Sequence, residues 1–290
     1  MQFNVLKVKN IPEYKQLMRL DKPIGTLLLL WPTLCALWIA NNGIPQWSLL
    51  IIFTLGVFVM RSAGCVINDF ADRKVDGAVQ RTSGRPLARK AIKAGEALTL
   101  FAGLIFIAFL LVIQLNLKTV ALSLVALALA SCYPFMKRFT HLPQVVLGAA
   151  YSFSIPMAFM ATNGVVPTLA WLLFIANLVW TVAYDTMYAM VDRDDDVKIG
   201  VKSTAILFGS LDRHWIAMLN SCYVAIMVYV GYTQALSLAY WVGLFLAGVL
   251  LVNQQRKITG RDRTACFKSF LNNNYVGMAI FVGLAISMAV

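Results

Sequence analysis

Asn68, Asp69, Asp72 and Asp76 close an apolar run that begins near Trp47. If a helix continues through them, Asn68, Asp72 and Asp76 recur at i, i+4 and i+8 and share one face. Three oxygen-bearing side chains on one face suit a hard cation better than they suit packing. A second acidic stretch, Tyr184 to Asp196, answers the first. Its Asp185, Asp192 and Asp196 stand at i, i+7 and i+11, again one helical face. Of the thirteen acids in the 290-residue chain, eight lie in these two stretches, each at the end of a long apolar segment. Asp185 ends a run with no charged residue from Leu142 to Tyr184. An acid placed within such a run is costly and is functional by default.

Two facing carboxylate sets point to a divalent metal. Mg2+ takes one or two carboxylates together with substrate phosphate oxygens. Arg81, Arg85, Lys137, Arg138, Lys198 and Lys202 flank the acids and are candidates to hold the same phosphates. Acids, metal and cations at a membrane surface suit a lipid diphosphate, although membrane topology alone accounts equally well for any single basic residue. An EF-hand over 192–203 is excluded, because neither the turn glycine nor the terminal glutamate is present.

Arg61 precedes Asn68 by seven residues, which places it on the same face and about 10 Å deeper. A guanidinium inside a span needs a partner. Two readings stand at this point: a pair with an acid of the bundle such as Asp185, or a two-donor clamp for the carboxylate of a substrate.

The elements that must position these residues follow from composition. Sixty per cent of the residues are hydrophobic and thirteen per cent charged, against roughly a quarter charged in soluble domains. The mean hydropathy is +0.73. This predicts an all-α integral membrane protein. Nine apolar segments approach the ~20 residues needed to span a bilayer, at roughly 23–40, 47–68, 97–115, 118–136, 143–161, 167–190, 213–231, 235–253 and 271–289. The net charge of +12 does not signal nucleic acid, because the basic residues cluster in loops between apolar runs. Among twenty-five lysines and arginines, Lys118 alone falls on one side and Arg61 lies inside a helix, leaving twenty-three on the other side. That side is expected to be cytoplasmic. It holds an N-terminal segment, 1–22, and two long loops, 69–95 and 192–212, within a single transmembrane domain spanning 1–290. Val290 is expected on the opposite side. The polar N-terminus predicts no cleavable signal peptide. Pro32, Pro134 and Pro156 are expected to kink or end their helices. Cys35, Cys65, Cys132, Cys222 and Cys266 are scattered without a CxxC, and His141 and His214 lack ligand spacing. Zinc and haem sites are not expected. A weak internal repetition suggests two four-helix units plus a ninth helix.

The two acidic motifs, Asn68-Asp-x-x-Asp72-x-x-x-Asp76 and Asp185-x-x-Tyr188-x-x-x-Asp192-x-x-x-Asp196, resemble those of the UbiA superfamily of membrane prenyltransferases. Further stretches are similar to the bacterial branch that prenylates 4-hydroxybenzoate: Arg19-Leu-Asp-Lys-Pro-Ile-Gly-Thr, Trp31-Pro, Arg81-Thr-x-x-Arg85-Pro-Leu, Tyr133-Pro-Phe-Met-Lys-Arg-x-Thr-His-Leu-Pro-Gln144, Lys202-Ser-Thr-Ala and Asn272-Asn-Asn-Tyr275. The match runs nearly end to end. The resemblance implies a nine-helix bundle and Mg2+-dependent transfer of a polyprenyl chain from polyprenyl diphosphate to 4-hydroxybenzoate, for ubiquinone synthesis at a bacterial inner membrane. By position, Asn68, Asp72, Asp192 and Asp196 would hold the metal and diphosphate, with Asp76 a further motif member. Arg61 would face the aromatic acid, with Asp185 and Tyr188 near it. Asp72, Asp192 and Arg61 are the expected catalytic residues. Rival readings are a related prenyltransferase acting on haem or a naphthoate, and a cation transporter. A transporter predicts acids spread through membrane depth, whereas these cluster at one face.

Overall fold

The computed structural model describes residues 4–289. Val290 lies outside the described residues, and so does its expected side. The chain is all helical. Its α-helices are α1 (Ile11–Leu17), α2 (Ile24–Asn41), α3 (Trp47–Asp72), α4 (Ala94–Val112), α5 (Leu117–Met136), α6 (Pro143–Ser152), α7 (Ser154–Asn163), α8 (Thr168–Ile199), α9 (Thr204–Phe208), α10 (Asp212–Thr233), α11 (Leu238–Lys257) and α12 (Arg263–Ser287). Nine helical spans among the described residues are long and apolar enough to cross a membrane, with α6 and α7 forming one span and α9 and α10 another. In lipid every backbone polar group must be satisfied within the segment, which is why apolar runs of this length become helices.

Helix ends are set by local chemistry. The Asn116 side chain accepts the Thr119 N–H at 2.9 Å and starts α5, and Asp262 accepts the Ala265 N–H at 2.8 Å and starts α12. Helix α8 ends at Gly200, whose φ of 72° is the left-handed conformation that closes a helix cheaply only with glycine. Pro32 and Pro134 sit within continuous helices. Near Pro156 the helix is interrupted at Phe153, because proline offers no N–H to the Ser152 carbonyl four residues back.

Several expected boundaries are corrected. Helix α3 stops at Asp72, and Asp76 opens a separate 3-10 turn, Asp76–Ala78. The shared face therefore covers Asn68 and Asp72 but not Asp76. The 192–212 stretch, expected as a loop, is helical over most of its length. Helix α8 carries its acids onward to Ile199, and only 200–203 is non-helical before α9. Helix α12 begins at Arg263, well ahead of 271.

Helix α8 is the most enclosed span. Its Trp180, Tyr184 and Met187 are fully buried, and Trp180 stacks on Tyr223 with centroids 5.2 Å apart. Three successive asparagines of α12 serve polar groups that the apolar interior would otherwise strand. Trp180 Nε1 donates to Asn273 at 2.9 Å, Trp31 Nε1 to Asn274 at 2.9 Å, and Gln254 Nε2 to Asn272 at 3.0 Å. The main core joins α2, the start of α3, α7, α8, α10, α11 and α12. A second core joins α1, α3, α4 and the loop residues Leu87 and Ile92. The N-terminal arm is tied to this second core: Glu96 on α4 accepts from Tyr14 Oη at 2.5 Å, Asn10 Nδ2 at 2.8 Å and the Lys93 N–H at 3.1 Å.

Helices α11 and α12 cross at two glycines. A methyl on Gly243 would run into the Ala279 carbonyl, and one on Gly283 would lie 2.7 Å from the Ala239 carbonyl oxygen. Small residues at a crossing let membrane helices approach closely. Gly243→Ala is expected to destabilise the protein by about 1–3 kcal/mol through overpacking. Gly248→Ala on the same helix, where a methyl meets nothing within 4 Å, should leave stability unchanged or slightly raised. Thermal unfolding of the two detergent-purified variants, compared with wild type, measures the difference.

Candidate active site

Among the described residues a cavity of about 1340 Å3 opens, lined by residues of α2, α3, α4, α5, α6, α7, α8 and α12. Ordinary small-molecule pockets span about 300–1,000 Å3. Its deeper walls are apolar, with Phe53, Val57, Phe101, Ile105 and Leu127 among the lining residues. Its polar lining includes Arg61, Asn68, Asp69, Arg81, Arg85 and Asp185, together with Tyr133, Tyr151, Tyr184 and Tyr188. One end is therefore built for charge and the rest for hydrocarbon.

Asp69 and Asp185 line the cavity and Asp72, Asp76, Asp192 and Asp196 lie behind that lining. Asp69, Asp72, Asp76 and Asp192 are each paired with a cation, whereas Asp185 and Asp196 form no ion pair among the described residues. The loop between α3 and α4 folds back so that Arg81 grips Asp192 of α8, with Nε 3.0 Å from both carboxylate oxygens and Nη2 2.5 Å from Oδ2. The Arg81 guanidinium also lies over the Tyr188 ring, 4.5 Å from its centroid, and that ring stacks on Phe270 of α12. Arg85 Nη1 lies 2.9 Å from Asp69 and 3.0 Å from Asp76, and Arg19 Nη2 donates to both oxygens of Asp69 at 3.0 and 2.9 Å. Lys137, just past α5, pairs with Asp72. The other oxygen of Asp72, Oδ1, is buried without a hydrogen-bond partner among the described residues. Asp196 stands one turn beyond Asp192 on the same face of α8.

Burial works to lower the pKa of Arg81, but Tyr188, Asp192 and Asp76 outweigh it and the result is raised. Arg85 behaves alike, with Asp69 and Asp76 overcoming burial. Both guanidinium groups stay charged. Burial pushes the Asp76 carboxyl up to about 6, and the neighbouring charges of Asp72 and Asp69 add to the rise against the pull of Arg85.

The remaining sequence candidates sit elsewhere. Arg138 donates to the Ala71 carbonyl at 2.6 Å and so caps the end of α3. Lys202 donates through Nζ to the Phe139 carbonyl at 3.2 Å and through its backbone to the Lys137 carbonyl at 2.9 Å. Both fix the turn that carries Lys137. Lys198 is exposed. None of the three lines the cavity. Arg61 does line it, and its Nη1 contacts Cys65 Sγ at 2.6 Å. No ion pair joins Arg61 to Asp185 or to any other acid among the described residues, and its buried Nε has no partner. The pairing with an acid that the sequence left open is therefore absent.

Arg19 and Asp69 are the site residues that spacing missed. Asp69 is one position off the Asn68–Asp72 face, yet it is only 1% exposed and holds two arginines. The available signal was an acid inside the last turn of an apolar helix.

No three His, Cys, Asp or Glu side chains converge as a metal-binding group among the described residues. Asn68, Asp72, Asp76, Asp192 and Asp196 thus do not form one cage, because each of Asp72, Asp76 and Asp192 is drawn to its own cation. The donor set still fits Mg2+, which needs only one or two protein carboxylates when phosphate oxygens complete its octahedron. Asp72, with a free buried oxygen, is suited to that role.

The model of the UbiA prenyltransferase family matches residues 29–281. A 4-hydroxybenzoate octaprenyltransferase from Pseudoalteromonas translucida is 63% identical over 98% of each chain. One from Citrobacter koseri is 58% identical over 94% of this chain and 95% of its own. Among solved structures, the apo form of a UbiA homolog from Aeropyrum pernix superposes with a TM-score of 0.80 at 24% identity, covering 91% of this chain and 98% of that one. A UbiA homolog from Archaeoglobus fulgidus bound to GPP and Mg2+ gives 0.71 at 18% identity, covering 95% and 99%.

Asp69→Asn is expected to destabilise the fold by about 3–5 kcal/mol, because removing one partner leaves buried charges of the other unpaired. The readout is the midpoint of thermal unfolding, which should fall clearly below that of wild type.

Proposed function

The chain belongs to the UbiA prenyltransferase family, and from that premise we propose that it transfers a polyprenyl chain from polyprenyl diphosphate to the ring carbon ortho to the hydroxyl of 4-hydroxybenzoate, a step of ubiquinone synthesis. The observation that carries this reading is Arg61: a guanidinium within a spanning helix, lining the cavity and without an ion pair to an acid among the described residues. A benzoate carboxylate supplies that partner. The relatives named above bear the same activity in their names.

The geometry supports the following roles. The diphosphate is received at the charged end by Arg81, Arg85 and Lys137, which exchange part of their hold on Asp192, Asp76 and Asp72 for phosphate oxygens. Asn68, Asp72, Asp76, Asp192 and Asp196 offer hard oxygens to Mg2+, which when bound neutralises charge developing on the leaving diphosphate. The apolar walls take the isoprenoid tail and keep water from the allylic centre. Arg61 holds the acceptor carboxylate and the tyrosines flank the aromatic ring. The allylic C–O bond breaks, the ortho ring carbon forms the new C–C bond, and the displaced ring proton passes to a carboxylate, Asp185 or Asp192. The basic end of the bundle, with 1–22 and both acidic motifs, faces the cytoplasm of a bacterial inner membrane, as the lopsided lysine and arginine distribution favours.

Purified protein given Mg2+, 4-hydroxybenzoate and a ladder of prenyl diphosphates should yield 3-polyprenyl-4-hydroxybenzoate by mass analysis, with activity lost on chelation. Prenylation of a naphthoate or haem instead would overturn the acceptor assignment. Asp192→Ala, which removes both a hard ligand and the partner of Arg81, should reduce turnover to background while the protein still inserts. In Arg61→Lys the planar two-donor fork is lost. The cost of about 2–5 kcal/mol should appear as a steep rise in KM for 4-hydroxybenzoate, with KM for the prenyl diphosphate little changed. A rise in neither constant would return Arg61 to a structural role.

A further inference from the structure

Gly25 lies in the first turn of α2 with an ordinary helical backbone; it is not among the positive-φ glycines. Its conformation therefore does not require glycine, and alanine would favour the helix more. The space around it gives the reason. A methyl built on Gly25 would lie 2.5 Å from Arg61 Nη2, 2.8 Å from Nε and 3.0 Å from Cζ, and these are the three atoms nearest to it. All belong to one guanidinium. The two nitrogens are nearer than the carbon between them, so the Nε–Nη2 edge, rather than the flat face, rests against α2. On the other side Nη1 meets Cys65 Sγ at 2.6 Å.

We propose that Gly25 is a positioning residue that seats the Arg61 guanidinium for the acceptor carboxylate, with Cys65 holding the group from the opposite side. The proposal rests on the reading of Arg61 as the carboxylate clamp. A long, flexible side chain in a cavity of this size would otherwise sample many positions, and each would have to be given up when the acceptor binds. Contact with the bare Cα of Gly25 and with Cys65 fixes the group in advance. A methyl at position 25 reaches ordinary contact only if Nη2 retreats by roughly 0.9 Å, from 2.5 to 3.4 Å. A misplacement of about 1 Å in a positioning group costs up to about 10²-fold. The diphosphate end is held by other residues, Arg81, Arg85 and Lys137, so its affinity should not follow.

The test is steady-state kinetics on detergent-purified Gly25→Ala, Arg61→Lys and the double variant, with Mg2+, 4-hydroxybenzoate and a prenyl diphosphate as substrates. Gly25→Ala is expected to raise KM for 4-hydroxybenzoate about tenfold or more and to leave KM for the prenyl diphosphate within about twofold. In the Arg61→Lys background the same methyl should add less than about twofold, because the ammonium has no Nε–Nη2 edge to displace. An unchanged KM for 4-hydroxybenzoate in Gly25→Ala, an equal rise for both substrates, or the same added factor in the double variant would each overturn the seat. Arg61→Lys alone reports on the clamp. A rise there without one in Gly25→Ala overturns the seat and leaves the clamp standing, whereas no rise in Arg61→Lys overturns both. If Gly25→Ala does not accumulate in membranes, Cys65→Ala removes the opposite contact, and its selective rise in KM for 4-hydroxybenzoate, or the lack of one, decides the matter.

Discussion

Charge buried in an apolar bundle must be matched, and that constraint organises this protein. Asp69, Asp72, Asp76 and Asp192 are almost fully buried, and each is paired with a cation, which for Asp69, Asp72 and Asp192 comes in part or wholly from another segment of the chain. Leaving any of them ionised and alone would cost several kcal/mol. The pairs therefore do more than neutralise. Arg81 and Asp192 join the loop after α3 to α8, Lys137 and Asp72 join the turn after α5 to α3, and Arg19 and Asp69 join the N-terminal arm to α3. The charged end of the cavity is thus assembled from segments distant in sequence.

The same pairing prepares the chemistry. The guanidinium groups of Arg81 and Arg85 already stand in the lining of an apolar chamber, which is the placement the proposed diphosphate role requires. Paired carboxylates stand between them as hard donors for a divalent cation. The chamber below is walled by phenylalanine, leucine and valine, which suits an isoprenoid and excludes the water that would capture an allylic cation.

Arg61 breaks the pattern. It sits deeper on α3, within the spanning segment, and forms no ion pair with an acid among the described residues. Arg61 and Asp185 both line the cavity without an ion pair among the described residues, and a charged group left so within a span is where a ligand can complete the pairing. The close approach of α2 at Gly25 indicates that the position of the Arg61 guanidinium, as well as its charge, is built into the helix packing.

The sequence by itself determined the class of protein, the number of spans and the two acidic motifs. These rest on local properties: apolar length sets a spanning helix, and helical periodicity sets which residues share a face. The i, i+7, i+11 spacing of Asp185, Asp192 and Asp196 held because α8 runs unbroken to Ile199. The same rule failed for Asp76, where α3 had already ended at Asp72, since helix termination depends on the packing that follows as well as on the residues themselves. Only the tertiary structure decided the partners. It showed that Arg81 meets Asp192, that Asp69 holds Arg19 and Arg85, that Arg138 and Lys202 brace a turn instead of lining the cavity, and that Arg61 forms no ion pair with an acid among the described residues. Ion pairs between residues up to 111 positions apart leave no periodic trace in a sequence, because they depend on where helices cross, and the crossing is fixed by side-chain volumes summed over the whole bundle.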